Sequence, residues 1–214
     1  MGIGYKLLRS DLSSLSDEHG RVQYGPDWVS VPGDGAYVAL TLPGLLRGGL
    51  GEVLARVKYA DPTGFGDDSH VVTARKVRVL RHAPIDVWAL VRTAVWGARQ
   101  VLPPEGHPLR ELCLRAVEAA ERCARERTPE SVKAARSVDM VMIWGMAYRS
   151  RRAMSATHAA GEALLAAMDA TTHGVMTAAW ATGSVVWAST GRKYLARRLL
   201  RHLLHEVLPT AAAV

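Results

Sequence analysis

Glycine is spread so unevenly along these 214 residues that the chain has to change architecture partway. Of its 19 glycines, 13 fall in residues 1–100 and 6 in residues 101–214. Glycine supplies tight turns and is poor in the interior of a helix, so the first half reads as short extended segments joined by turns. The second half is dominated by alanine and long unbranched side chains, as in Glu118-Ala119-Ala120-Glu121-Arg122-Cys123-Ala124-Arg125. Those are strong helix formers. The expected fold class is therefore α+β, with a small β-rich module over residues 1–83 and a helical bundle over 84–214, of which 84–102 forms the connecting helix.

Within the first module, extended runs are expected at 5–8, 22–31, 36–40, 52–59 and 70–80, each of strand length. Val77 and Val79 alternate with Lys76, Arg78 and Leu80, which gives one apolar face and one largely basic face. Pro32-Gly33-Asp34-Gly35 reads as a turn, and residues 62–68 as a flexible connection.

Pro84 suits the first turn of a helix, which would carry Val87, Leu90, Val91, Ala94 and Val95 on one face. Pro103 and Pro104 stop it. Pro108 opens the next helix, whose apolar stripe is Leu109, Leu112, Cys113, Ala116, Val117, Ala120 and Cys123. Thr128, Pro129 and Glu130 supply a cap, a first-turn proline and a first-turn acid for a helix running to about residue 148. Three more helices are expected at 155–172, 175–189 and 192–207, with Gly174 and Gly191 as breaks.

Several function classes are excluded or weakened by composition. Cys113 and Cys123 lie on one predicted helix roughly 15 Å apart, too far to bridge, so a disulfide scaffold is ruled out and a reducing, cytoplasmic setting is expected. The segment Met1-Gly2-Ile3-Gly4-Tyr5-Lys6 lacks the pattern of a signal peptide. The uncharged span 170–191 is long enough to cross a bilayer, but its Thr, Ser, Gly and His content argues for helices packed through small residues, and membrane association is not expected. None of the eight histidines makes a metal-ligand spacing with another donor, so no metal is expected.

Net charge is +7, with 12 basic and 10 acidic residues in 1–100 against 15 and 10 in 101–214. The helical excess gathers in Arg149, Arg151 and Arg152, and again in Arg192, Lys193, Arg197, Arg198 and Arg201. On a helix, Arg197, Arg198 and Arg201 share a solvated face while Leu195, Leu199, Leu203 and Val207 form another. These eight cations are the candidate partner-binding residues. A protein partner is the leading expectation, with nucleic acid reachable through the basic helix and a second copy of the chain as a further candidate.

In broad outline the strands that begin with Tyr5-Lys6-Leu7-Leu8-Arg9-Ser10 and Gly35-Ala36-Tyr37-Val38-Ala39 resemble those of ADP-ribosyltransferase folds. That likeness implies NAD as cofactor, with Arg9, Tyr37 and Glu52 as the residues that would hold and transform it. Residues 5 to about 90 also resemble an uncharacterised domain of phage and mobile-element proteins, through Tyr24-Gly25-Pro26-Asp27-Trp28, Gly35-Ala36-Tyr37-Val38-Ala39 and the run from Val72 to Arg81. Members of that domain carry Phe-His-Phe-Cys where this chain has Tyr37-Val38-Ala39. The stretch from Ala98 to Ala120 is similar to an alanine-rich helical family described as immunity proteins of actinobacteria. Together these resemblances imply a non-catalytic macromolecule-binding protein of phage or mobile-element type, an immunity or anti-defence factor that blocks a partner. An NAD-using transferase in the first module is the alternative, and without it no cofactor and no catalytic residue are expected.

Overall fold

A computed structural model describes residues 1–15, 21–47, 51–65, 70–138 and 151–168, the separate positions 178, 181, 184 and 185, and residues 192–208. The chain is α+β and divides into two compact units, one of residues 1–85 with 200–214 and one of residues 86–199.

The first unit is built on five strands: β1 (Gly2–Leu8), β2 (Val29–Ser30), β3 (Ala36–Ala39), β4 (Val53–Phe65) and β5 (Val71–Pro84), with a short helix α1 (Leu42–Arg47) between β3 and β4. All the pairings are antiparallel. β1 lies between β3 and β4, while β5 pairs with both β3 and β4, so the four strands close a ring and β2 adds on to β5. The ring closes narrowly, through Tyr5 opposite Ala39. A Cβ on Gly4 would stand 2.3 Å from Val38 Cγ1, and only glycine lets β1 approach β3 this closely. Inside lie Leu8, Tyr24, Val31, Ala36, Val38, Val53, Ala55, Val57, Val72, Val77 and Val79, the apolar halves of alternating strands.

Four sequence expectations change: the helix expected from Thr128 to about residue 148 ends at Arg136, with Ser137 as its C-cap, and the other three concern the first unit and its boundary. Strand β4 continues through Pro62 to Phe65, because its partner β5 is long enough to pair with it past a bulge between Pro62 and Gly64. Pro84 ends β5 instead of opening a helix; the helix is capped by the Asp86 carboxylate, which accepts a hydrogen bond from the Trp88 amide at 3.1 Å. Of the run 22–31, only Val29 and Ser30 pair as strand, opposite Val77 and Lys76.

Lys6 is half-buried on β1, donating to the Tyr37 carbonyl at 2.6 Å with its ammonium 5.1 Å from the centre of the Tyr24 ring. Burial pushes its pKa down from 10.5 to about 8. The unfolded chain then holds a proton that the folded chain has released, so folding stability should climb as pH rises above 8. Between pH 7 and about pH 9.5, denaturant unfolding should show the wild type gaining about 1 to 2 kcal/mol relative to Lys6→Met, the buried thiols, whose pKa values are raised in the fold, acting alike in both. Tyr24, its phenol pushed up to about 12 by burial, stays neutral in the fold over that range.

The second unit contains α2 (Val87–Gln100), α3 (Arg110–Glu126), α4 (Pro129–Arg136) and α5 (Arg151–Met168). The expected stripes are the buried ones: Leu90, Val91, Ala94 and Val95 on α2, and Cys113, Ala116, Val117, Ala120 and Cys123 on α3. α3 packs against α2, α4 and α5. It ends at Arg127, which takes the left-handed conformation at φ 57°, and Thr128 then caps α4 through a reciprocal pair of hydrogen bonds with Ser131. Both cysteines are buried and unbridged. Burial pushes the Cys113 thiol up to about 11, and Cys123 donates to the Ala167 carbonyl at 2.9 Å. They are core side chains, and a raised pKa leaves little reactive thiolate. The last described helix, α6 (Arg192–Val207), buries the expected Leu195, Leu199, Leu203 and Val207.

Among the described residues no helix is long and apolar enough to cross a membrane, and no group of three or more His, Cys, Asp or Glu could hold a metal ion. Most of the uncharged span 170–191 lies outside the described residues, as do Gly174 and Gly191.

Candidate nucleic-acid interface

The register of β4 against β5 decides where the charges of the first unit go. Arg56 sits opposite Arg81, Lys58 opposite Arg78, and Ala60 opposite Lys76. Residues directly opposite in an antiparallel pair share a face, with Cβ atoms about 5 Å apart, and like charges so placed are destabilising. Two like-charge pairs therefore lie side by side on the outward face of the ladder. β1 extends both rows, with Tyr5 opposite Arg56 and Ile3 opposite Lys58. The inward alternates Val57, Val77 and Val79 are buried, which fixes the cations on the outside.

A bulge between Arg56 and Val57 leaves Leu80 unpaired between Val79 and Arg81, and its side chain is exposed. Trp28 immediately precedes β2 and is 39% exposed; the Arg78 guanidinium is stacked 5.2 Å from its ring centre. The Val79 amide donates to the Gly25 carbonyl at 2.7 Å and pins the segment that leads to Trp28. Asp61 pairs with Lys76 at 3.3 Å, and Asp27 adjoins Trp28 in the chain. The Nε atoms of Arg56 and Arg78 are shut off from solvent without a hydrogen-bond acceptor among the described residues. A buried donor left in that state costs about 1–3 kcal/mol.

The helical cations fare differently. Arg149 lies outside the described residues, and for Arg151, Arg152, Arg192 and Lys193 only the helical backbone is described. Arg197 and Arg201 are exposed on α6. Arg198, expected to share their solvated face, is half-buried, with its guanidinium 5.2 Å from the Trp96 ring centre and 5.7 Å from that of Tyr194. Its cation is used within the unit. Arg198→Glu should therefore cost about 1 kcal/mol of stability, whereas Arg197→Glu with Arg201→Glu should stay within about 0.5 kcal/mol of wild type. Thermal melts of the variants check this.

The three NAD candidates lie on the first unit. Glu52 donates its amide to the Leu8 carbonyl, which brings it next to Arg9 at the end of the β1–β4 ladder. The Arg9 guanidinium, however, donates to the Leu15 carbonyl at 3.3 Å, and Tyr37, paired with Thr73, is 69% exposed. Backbone pairing thus joins Arg9 and Glu52 and does not bring Tyr37 to them.

Part of the outward face of β5 is legible in the period-two pattern around Val77. The contribution of Arg56, Lys58 and Trp28 is not, because their neighbours are supplied by strand pairing across 20 to 50 residues. No family model, curated protein or solved structure matches this chain.

Proposed function

We propose that this chain is a non-catalytic binding protein whose partner is an acidic macromolecule, and that the outward face of β4 and β5 makes the contact. The observation that carries this reading is the pair of like-charge rungs, Arg56 with Arg81 and Lys58 with Arg78. Like charges directly opposite one another are destabilising, whereas a dense line of negative charge laid across them relieves the repulsion and is attracted from a distance. The resemblances of the sequence suit a factor that blocks a toxin or a host defence component. The exposed Arg197 and Arg201 of α6 are suited to a second contact.

The test is retention on immobilised heparin and on polyglutamate. Wild-type protein should bind at low salt. The variant Arg56→Gln/Lys58→Gln/Arg78→Gln should elute at clearly lower salt while melting close to the wild type, since losing two repulsive pairs offsets losing the stacking of Arg78 on Trp28. Failure of the wild type to bind either polyanion, or an unchanged elution of the variant, would overturn the proposal. The transferase reading is checked with labelled NAD: label transfer that disappears in Glu52→Gln would establish it in place of the binding reading.

A further inference from the structure

The outward β4–β5 face carries more than charge. Exposed apolar and aromatic groups stand among the cations: Trp28 against Arg78, Leu80 at the bulge, Ile3 beside Lys58, with half-buried Tyr5 beside Arg56. A polyanion that presents only charge has no use for them. Double-stranded DNA shows phosphates along its flank and keeps its bases stacked inside, so the outer face of a closed sheet meets only its backbone. A single strand differs, because each unpaired base offers an apolar face next to a phosphate. Recognition of such strands combines a basic track for the backbone with aromatic platforms for the bases, and it tolerates any sequence because every base has such a face.

Spacing supports the same conclusion. Lys58 follows Arg56, and Arg78 follows Lys76, by two residues along extended strands, so cations recur about every 6.6 Å on each strand. Trp28 stands at the edge of this track with its ring already stacked on one side by a guanidinium. The Arg78 guanidinium is already stacked on Trp28 before any partner arrives, which lowers the ordering cost of binding.

We propose that this face binds single-stranded nucleic acid without sequence preference, the cations of β4 and β5 following the phosphates and Trp28 stacking on a base; this rests on the binding reading above. The experiment is fluorescence anisotropy with a labelled oligodeoxythymidine of about 15 nucleotides, the same mixed-sequence DNA as a strand and as a duplex, and polyglutamate as competitor. The single strands should bind more tightly than the duplex and quench tryptophan fluorescence. Trp28→Leu should weaken binding to the single strand by about tenfold to a hundredfold and leave duplex binding unchanged, and Trp28→Tyr should restore most of the loss. Circular dichroism verifies that both variants are folded. Equal binding of strand and duplex, insensitive to Trp28, would overturn the stacking proposal and leave the acidic-partner reading intact. So would displacement by polyglutamate at matched charge concentration. Absence of binding to every polyanion would overturn both.

Discussion

Raising the salt concentration from 50 to 200 mM should weaken the complex with a single-stranded oligonucleotide about a hundredfold. Arg56, Lys58, Lys76, Arg78 and Arg81 supply five cations along the outward face of β4 and β5. Each phosphate neutralised on a single strand contributes about −0.7 to the slope of log affinity against log salt, so five give about −3.5. The variant Arg56→Gln/Lys58→Gln/Arg78→Gln retains two cations. Its slope should fall to about −1.4, so that the same change of salt costs it about sevenfold. A titration at four or five salt concentrations measures both slopes. A variant slope equal to that of the wild type would place the contact elsewhere on the chain, with Arg197 and Arg201 the next residues to change. The measurement also separates charge from stacking, since Trp28→Leu should lower affinity at every salt concentration and leave the slope alone.

Gly35→Ala should destabilise the first unit by about 2 to 4 kcal/mol. Gly35 closes the turn into β3 with φ +96°, a conformation L side chains rarely adopt, and a Cβ there would stand 2.6 Å from the Ala74 carbonyl oxygen on the paired strand. Strain and collision act together, and the second cannot be relieved without parting β3 from β5. Gly106 is the control: its φ is +79°, but its Cβ would meet open space, so Gly106→Ala should cost only about 1 kcal/mol. Urea denaturation of the two variants provides the comparison. Equal losses would mean that backbone strain alone matters and that the contact between Gly35 and Ala74 yields without cost.

The two cation clusters show how far patterning reaches. Val77 and Val79 against Lys76 and Arg78 is a local alternation, and the structure buries the first two and turns Lys76 and Arg78 outward. The α6 face was legible to the same degree for Leu195, Leu199, Leu203 and Val207, all buried. It misled for Arg198, because an arginine near the edge of an apolar stripe can fold back onto aromatic rings, and Trp96 comes from a helix about a hundred residues earlier. Periodicity assigns a face; it does not report what the neighbouring element places against that face. Pro84 misled for a related reason. Its fixed φ suits a helix start and a strand end alike, and the pairing of Val53 with Pro84 decided for the strand.

The sequence by itself determined the α+β composition, the buried stripes of α2, α3 and α6, the Thr128 cap and the alternation of β5, since each depends on residues within a few positions of one another. Only the tertiary structure decided that β1, β3, β5 and β4 close into a ring, that β4 runs on through Pro62, and that Arg56, Lys58, Arg78, Arg81 and Trp28 share one surface. The physical reason is that strand register is set by pairing between distant segments, and a shift of one residue would turn every one of those cations toward the core.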